Sequence, residues 1–127
     1  MHGIPVAVKD QIKTKGILTT WGSRILEDYV PDEDATVIAN LKRSGAILLG
    51  KHNMSGFAMG DGSDHPYGTP RNPWSLEHSP GATSSGSGAA TAASLCATSL
   101  GEDTTGSIRG PCFVLRGRWD KADLRKG

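Results

Sequence analysis

Much that would mark a specialised partner is missing from this 127-residue sequence. Its formal net charge is only +1, with 21% charged residues. That balance excludes nucleic acid or an acidic membrane recognised by charge alone. The apolar runs, such as residues 46–49, are far too short to span a bilayer. The opening MHGIPVAVKD lacks the basic start and long apolar stretch of a signal peptide, so the expected location is cytoplasmic. Cysteine is scarce: Cys96 and Cys112 form no C-x-x-C pair, and reduced, partly buried thiols are expected. His2, His52, His65 and His78 lack metal-ligand spacing, so no metal site is expected.

Nucleotide-binding and hydrolase fingerprints also fail. Gly81 and Gly86 have P-loop spacing, but Ser87 stands where the lysine belongs. Gly86 and Gly88 start a G-x-G-x-x-G run, but Thr91 takes the third place. Ser107 sits in T-G-S-I-R, which is not the G-x-S-x-G elbow of α/β hydrolases.

What the chain does hold is glycine and hydroxyl groups, concentrated in residues 81–88 and 103–109. Thr83, Ser84, Ser85, Ser87, Thr104, Thr105 and Ser107 all fall there. Glycine lets backbone N–H groups approach a ligand closely, and hydroxyls on such loops are either turn formers or nucleophiles.

An α/β architecture is expected around these loops. Residues 4–8 read as a short buried strand ending in Lys9-Asp10, at a strand end where α/β proteins place their chemistry. Residues 11–16 form a polar turn, residues 17–21 a second short strand and residues 22–31 a loop. Residues 34–44 read as a helix capped by Asp34, with Val37, Ile38 and Leu41 on one face, Lys42 and Arg43 in the last turn and Gly45 beyond it. Residues 46–49 follow as a buried strand ended by Gly50, giving a strand–helix–strand order. Residues 51–73 are broken by glycine and proline, with Met54, Phe57 and Met59 expected to pack beneath them. Residues 87–97 read as a helix of small side chains that must pack very closely, and residues 98–100 as a strand. From residue 116 onward, mixed charge without period suggests a solvated, poorly ordered tail.

With a metal and a histidine base set aside, a serine activated by a neutral lysine remains. Burial depresses a lysine pKa from about 10.4 toward 7. Lys9 and Lys51 each follow an apolar strand, and the residues alone do not choose between them.

The segments GIPVAVKD, DATVIANLKRSGAILLGKHNM, NPW, SPGATSSGSGAA and DTTGSIRGP resemble, in order and spacing, the motifs of the amidase signature family. The likeness runs from Gly3 to Pro111. It implies a mixed-sheet, helix-flanked fold, with residues 1–111 a partial domain and residues 112–127 a divergent tail. It also implies Ser107 as nucleophile, Thr83 as proton relay in a motif held by a cis peptide bond, and Lys9 as base. Lys51 falls in a segment that is not catalytic in that family. The N–H groups of Thr104, Thr105, Gly106 and Ser107 would form the oxyanion hole. Ser84, Asp103 and Arg109 would support the site, Arg109 by orienting the loop or as a structural ion pair. The implied substrate is a small-molecule amide, with no cofactor; a glutamine-dependent transamidase role and a non-catalytic module are the alternatives.

Three features depart from the family pattern. Thr83 stands where serine is usual, adding a methyl and stiffening χ1. Thr105 stands where glycine is usual. The family's catalytic domain is several times longer, so a chain of this length is expected to be inactive by itself.

Overall fold

The computed structural model describes residues 1–61, 63 and 65–118. Its elements in chain order are β1 (Pro5–Lys9), α1 (Thr36–Arg43), β2 (Ile47–His52), α2 (Ser85–Ala92), β3 (Thr98–Leu100) and α3 (Arg109–Leu115). The strands form one sheet in the order β2-β1-β3, and both pairings are parallel. The α/β class read from the sequence is therefore the class observed.

β1 lies in the middle, which explains its unbroken apolar run: a central parallel strand is covered on both faces. Alternate residues point to opposite faces. Val6 and Val8 pack with Ile38 of α1, joined by Leu41, Leu48 and Leu100. Ala7 and Lys9 point the other way, toward α2. All three strands run in the same direction, so their carboxyl ends share one edge of the sheet. Ligands of open parallel sheets bind at that edge.

The small residues of α2 have a visible purpose. A Cβ built on Gly86 would lie 2.4 Å from the Asn53 carbonyl oxygen, and one on Gly88 would lie 2.7 Å from the Pro111 Cβ. Only glycine lets α2 sit this close to the end of β2 and to α3.

Several local expectations are corrected. Residues 17–21 are irregular, not a strand. The Thr20 and Gly22 N–H groups donate to the Asp10 carboxylate, and Thr19 N–H donates to the Tyr29 carbonyl, leaving no ladder to form. A short 3-10 turn, Arg24–Leu26, interrupts the expected loop after it. Helix α1 starts at Thr36 with Ala35 as its N-cap and no side-chain cap. Asp34 is committed elsewhere: it accepts from Lys15 N–H at 2.8 Å and Lys42 Nζ at 2.7 Å. Gly45 does adopt the left-handed conformation expected just past the helix, with φ +78°.

β2 does not stop at Gly50 but continues to His52, with a register shift that leaves Leu49 unpaired opposite β1. It is half-covered rather than buried, since it is an edge strand: Ile47 and Leu49 are each 53% exposed. Helix α2 is displaced toward the N-terminus and ends before Ser94, which is left-handed at φ 58°. β3 forms where expected. Met54 is buried, but Phe57 and Met59 are exposed. Both cysteines are free. Helix α3 runs through Cys112 to Leu115, and Leu115 is buried. Most of the expected tail, residues 119–127, lies outside the described residues.

Candidate active site

Three segments converge at the carboxyl edge of the sheet. Lys9 is the last residue of β1. Thr83 and Ser84 lead into α2. Residues 101–108 follow β3 and enter α3. A cleft of about 740 Å³ opens there, with Lys9, Glu102, Thr104, Thr105 and Ser107 along one side.

Lys9 has no solvent exposure, and its Nζ donates to Thr83 Oγ1 at 2.9 Å. Burial lowers its pKa from 10.5 to about 8, against the opposing pull of Glu102 and Asp103. About a tenth of such a group is neutral at pH 7, and only the neutral amine can take a proton.

Asp103 organises the loop that carries Ser107. Its carboxylate accepts from the N–H groups of Gly106, Ile108 and Arg109 at 2.8–2.9 Å, and from Arg109 Nη2 and Nε at 2.9 and 3.2 Å. The Arg109 guanidinium, reinforced by these backbone donors, holds the Asp103 carboxyl well below the usual carboxylate range. This wrapping has a consequence for the expected oxyanion hole. The Gly106 N–H is turned into the loop and spent on Asp103, so it is removed from the donor set. The N–H groups of Thr104, Thr105 and Ser107 have no acceptor among the described residues. Thr105 carries no backbone strain; Gly106, with φ +124°, is the residue of the loop that needs glycine's freedom.

Most hydroxyls of the glycine-rich segments are ties. Ser84 Oγ donates to the Glu102 carbonyl at 3.3 Å, and Ser84 N–H donates to the Ser107 carbonyl at 3.2 Å. Ser84 thus joins the two loops and does not face Lys9. Ser87 Oγ donates to the Leu100 carbonyl, and Ser85 Oγ pairs with His65 Nε2 at 2.7 Å. Thr83 is the hydroxyl that meets the lysine, while the Ser107 hydroxyl stays uncommitted beside the cleft. The peptide bonds around Thr83 are trans, as are all those described, so the implied cis bond is absent. A cis bond ahead of a residue other than proline costs about 3–4 kcal/mol, and Thr83 reaches Lys9 without one.

Lys51 is the lysine that the site does not use. Its Nζ donates to the Ile12 carbonyl at 2.6 Å and to Thr19 Oγ1 at 2.8 Å, and lies 3.7 Å from Asp10 Oδ1. Burial lowers its pKa while Asp10 opposes that shift.

The sequence pattern of the Amidase family matches residues 1–114. The chain belongs to the amidase family. It is 58% identical over 112 residues to a glutamyl-tRNA(Gln) amidotransferase subunit from Sulfurisphaera tokodaii, covering 87% of this chain and 24% of that protein. Among solved structures, the corresponding glutamyl-tRNA(Gln) amidotransferase subunit from Thermotoga maritima superposes with a TM-score of 0.81 at 46% identity, over 87% of this chain and 26% of the other. A peptide amidase from Stenotrophomonas maltophilia gives a TM-score of 0.78 at 40% identity, over 85% of this chain and 23% of the other. The fold is therefore part of the amidase signature fold, and the chain spans about a quarter of the length of these relatives. Among the described residues, no helix is long and apolar enough to cross a membrane.

Trp21, Phe57 and Glu102, which no sequence motif singles out as site residues, also line the cleft. Trp21 ends the segment expected to be a strand, and Phe57 lies in the segment broken by glycine and proline, where it was expected to pack beneath the loop. Glu102 is adjacent in sequence to Asp103, and only its place on the cleft wall sets it apart from an ordinary surface carboxylate.

Proposed function

We propose that this chain carries the reacting groups of an amidase that cleaves the C–N bond of carboxamides through Ser107. The buried Lys9–Thr83 hydrogen bond at 2.9 Å, at the foot of the cleft lined by Ser107, carries this reading. Ser107 Oγ would attack the amide carbon as its proton passes through Thr83 Oγ1 to neutral Lys9. The N–H groups of Thr104, Thr105 and Ser107 would hold the developing oxyanion. Collapse breaks the C–N bond, and the departing ammonia or amine takes the proton from Lys9. Water then hydrolyses the acyl ester by the same route, returning Ser107. Asp103 and Arg109 would keep the loop in shape.

The cleft is open to solvent, so covalent capture of Ser107 by an activated probe is expected, without steady turnover of simple amides. The test is labelling of Ser107 by a fluorophosphonate, read by mass spectrometry. The labelling rate should rise about tenfold per pH unit below pH 8 and level off above it. In Lys9→Met it should fall about 10²–10⁴-fold. Labelling that is pH-independent, or unchanged in Lys9→Met, overturns the assignment of the base.

A second reading is supported by the 58% identity to a component of an amidotransferase. In that reading the same groups release ammonia from glutamine for transfer onto another acceptor. Preferential labelling of Ser107 by a glutamine-shaped diazoketone would favour it over the general amidase.

A further inference from the structure

The cleft has a wall that amide chemistry does not require. Trp21 and Phe57 stand on it from separate loops, with ring centroids 6.3 Å apart and planes at 62°. Both residues are left-handed, with φ 55° and 50°, and Ala58 beside them has φ 57°. Such conformations cost about 1–3 kcal/mol each and persist only where the surroundings impose them. The surroundings do so here. Phe57 N–H donates to the Trp21 carbonyl at 2.8 Å. Gly22 lies so close to Met54 that a Cβ on it would be 2.4 Å from the Met54 carbonyl oxygen. Two strained loops are thus locked together, and what they hold out is a pair of rings. Phe57 remains 44% exposed, so the strain does not serve the core.

The charges around the cleft point the same way. Its charged side chains are Lys9, Lys13 and Glu102. Lys9 is bonded to Thr83, and Lys13 is paired with Glu33 at 3.1 Å. Asp103, next to Glu102, is consumed by Arg109 and the backbone. The Glu102 carboxylate has no hydrogen bond or ion pair among the described residues. Glu102 acts on the Lys9 ammonium from a distance, but its oxygens are left free to accept hydrogen bonds from a ligand, and it sits on the loop that carries Ser107.

We infer that Trp21, Phe57 and Glu102 form a substrate subsite that selects carboxamides bearing both an aromatic or branched apolar group and a positive charge, the chemistry of hydrophobic amino-acid amides with a free amine. This rests on reading the cleft as the amide site. The rings take the apolar group, the carboxylate faces the ammonium, and the carboxamide is left for Ser107.

Two probes isolate the charge: L-phenylalaninamide and 3-phenylpropanamide share ring and carboxamide, but only the first has an amine. Affinities are measured by NMR titration of the full chain at pH 6, where that amine is protonated. The charged probe should bind about three- to fivefold tighter at low ionic strength, and the gap should shrink with salt. Glu102→Gln should erase the gap and leave 3-phenylpropanamide unchanged. Trp21→Asn, which tolerates the left-handed backbone, should weaken both probes alike. Equal affinities in the unaltered chain, no binding of either probe, or a gap that survives Glu102→Gln overturns the subsite. Ser107 labelling of the same chains at pH 8, where Lys9 is half neutral, separates the two readings. A charge preference with Ser107 unlabelled refutes the amide chemistry alone, and labelling without a preference refutes the subsite alone.

Discussion

Lys9 and Lys51 occupy the ends of neighbouring strands, one residue out of step. Lys51 lies beside Val8, while Lys9 lies beside His52. A shift of one residue in a strand sends a side chain to the opposite face. Lys51 therefore reaches into the loops that follow β1, where a carbonyl, a hydroxyl and a carboxylate receive it. Lys9 reaches toward α2, where Thr83 alone receives it, with Glu102 and Asp103 acting from farther away. Both are drawn below the ordinary lysine pKa by burial. The difference is compensation: a buried charge with a carboxylate beside it is a structural fastener, and one with only a hydroxyl is poised to lose its proton.

The largest effect should come from removing the fastener. Lys51→Met leaves the Asp10 carboxylate with Thr20 and Gly22 as its donors but without a cation. Breaking a buried pair typically costs about 3–5 kcal/mol, and the surviving donors place this case at about 3. Urea unfolding should show that loss, whereas Lys9→Met should leave stability near neutral pH equal or higher. Equal losses in the two variants would break the contrast.

An effect that is gentler at each step, because it is spread over pH, isolates Lys9. Its folded pKa is about 8 against 10.5 for the ordinary group. Between those values the unfolded chain holds more protons than the folded one, so stability rises with pH in that window. Below pH 8 both states are protonated, and the cost of burying the charge is constant. The slope contributed by this one group approaches at most about 1.4 kcal/mol per pH unit. It is read as the difference between the unaltered chain and Lys9→Met over pH 7.5–10.5. A flat difference would mean that Lys9 is not desolvated.

The same geometry explains what the sequence could and could not convey. β1 was legible because a central parallel strand writes its burial on both faces as an apolar run, whereas β3, a three-residue edge strand, was legible only from its place between a helix and the second loop. Helix α1 was legible from its apolar stripe, but its first turn was not, because Asp34 serves a lysine 8 residues ahead and a backbone N–H 19 residues behind instead of its own helix. Residues 17–21 carried strand-forming side chains, yet their backbone donors go elsewhere: Thr20 N–H to Asp10, and the Ile17 and Thr19 N–H groups to the Thr14 and Tyr29 carbonyls. Lys9 and Lys51 were equivalent by local pattern; the family resemblance separated them, and the register supplies the physical reason. Ser84 and Thr83 were likewise distinguished only by which loop each hydroxyl meets. Local propensity encodes elements, whereas the partner of a buried polar group is fixed by residues distant in sequence.

The smallest expected change tests the hydroxyl that receives Lys9. Thr83 is buried, and its χ1 is restricted by the methyl that serine lacks. With Oγ1 held at 2.9 Å from Lys9, a threonine has less freedom to turn between the lysine and Ser107 during proton transfer. Thr83→Ser keeps the hydroxyl and removes that restriction. Fluorophosphonate labelling of Ser107 should then quicken about two- to fivefold, a small part of the 10²–10⁴ that a whole acid–base group contributes. Thr83→Val, nearly the same shape without the hydroxyl, should slow labelling by far more than Thr83→Ser speeds it. If Thr83→Val labels as fast as the unaltered chain, the proton reaches Lys9 by another path, and the bond between Thr83 and Lys9 is a structural contact like those of Lys51.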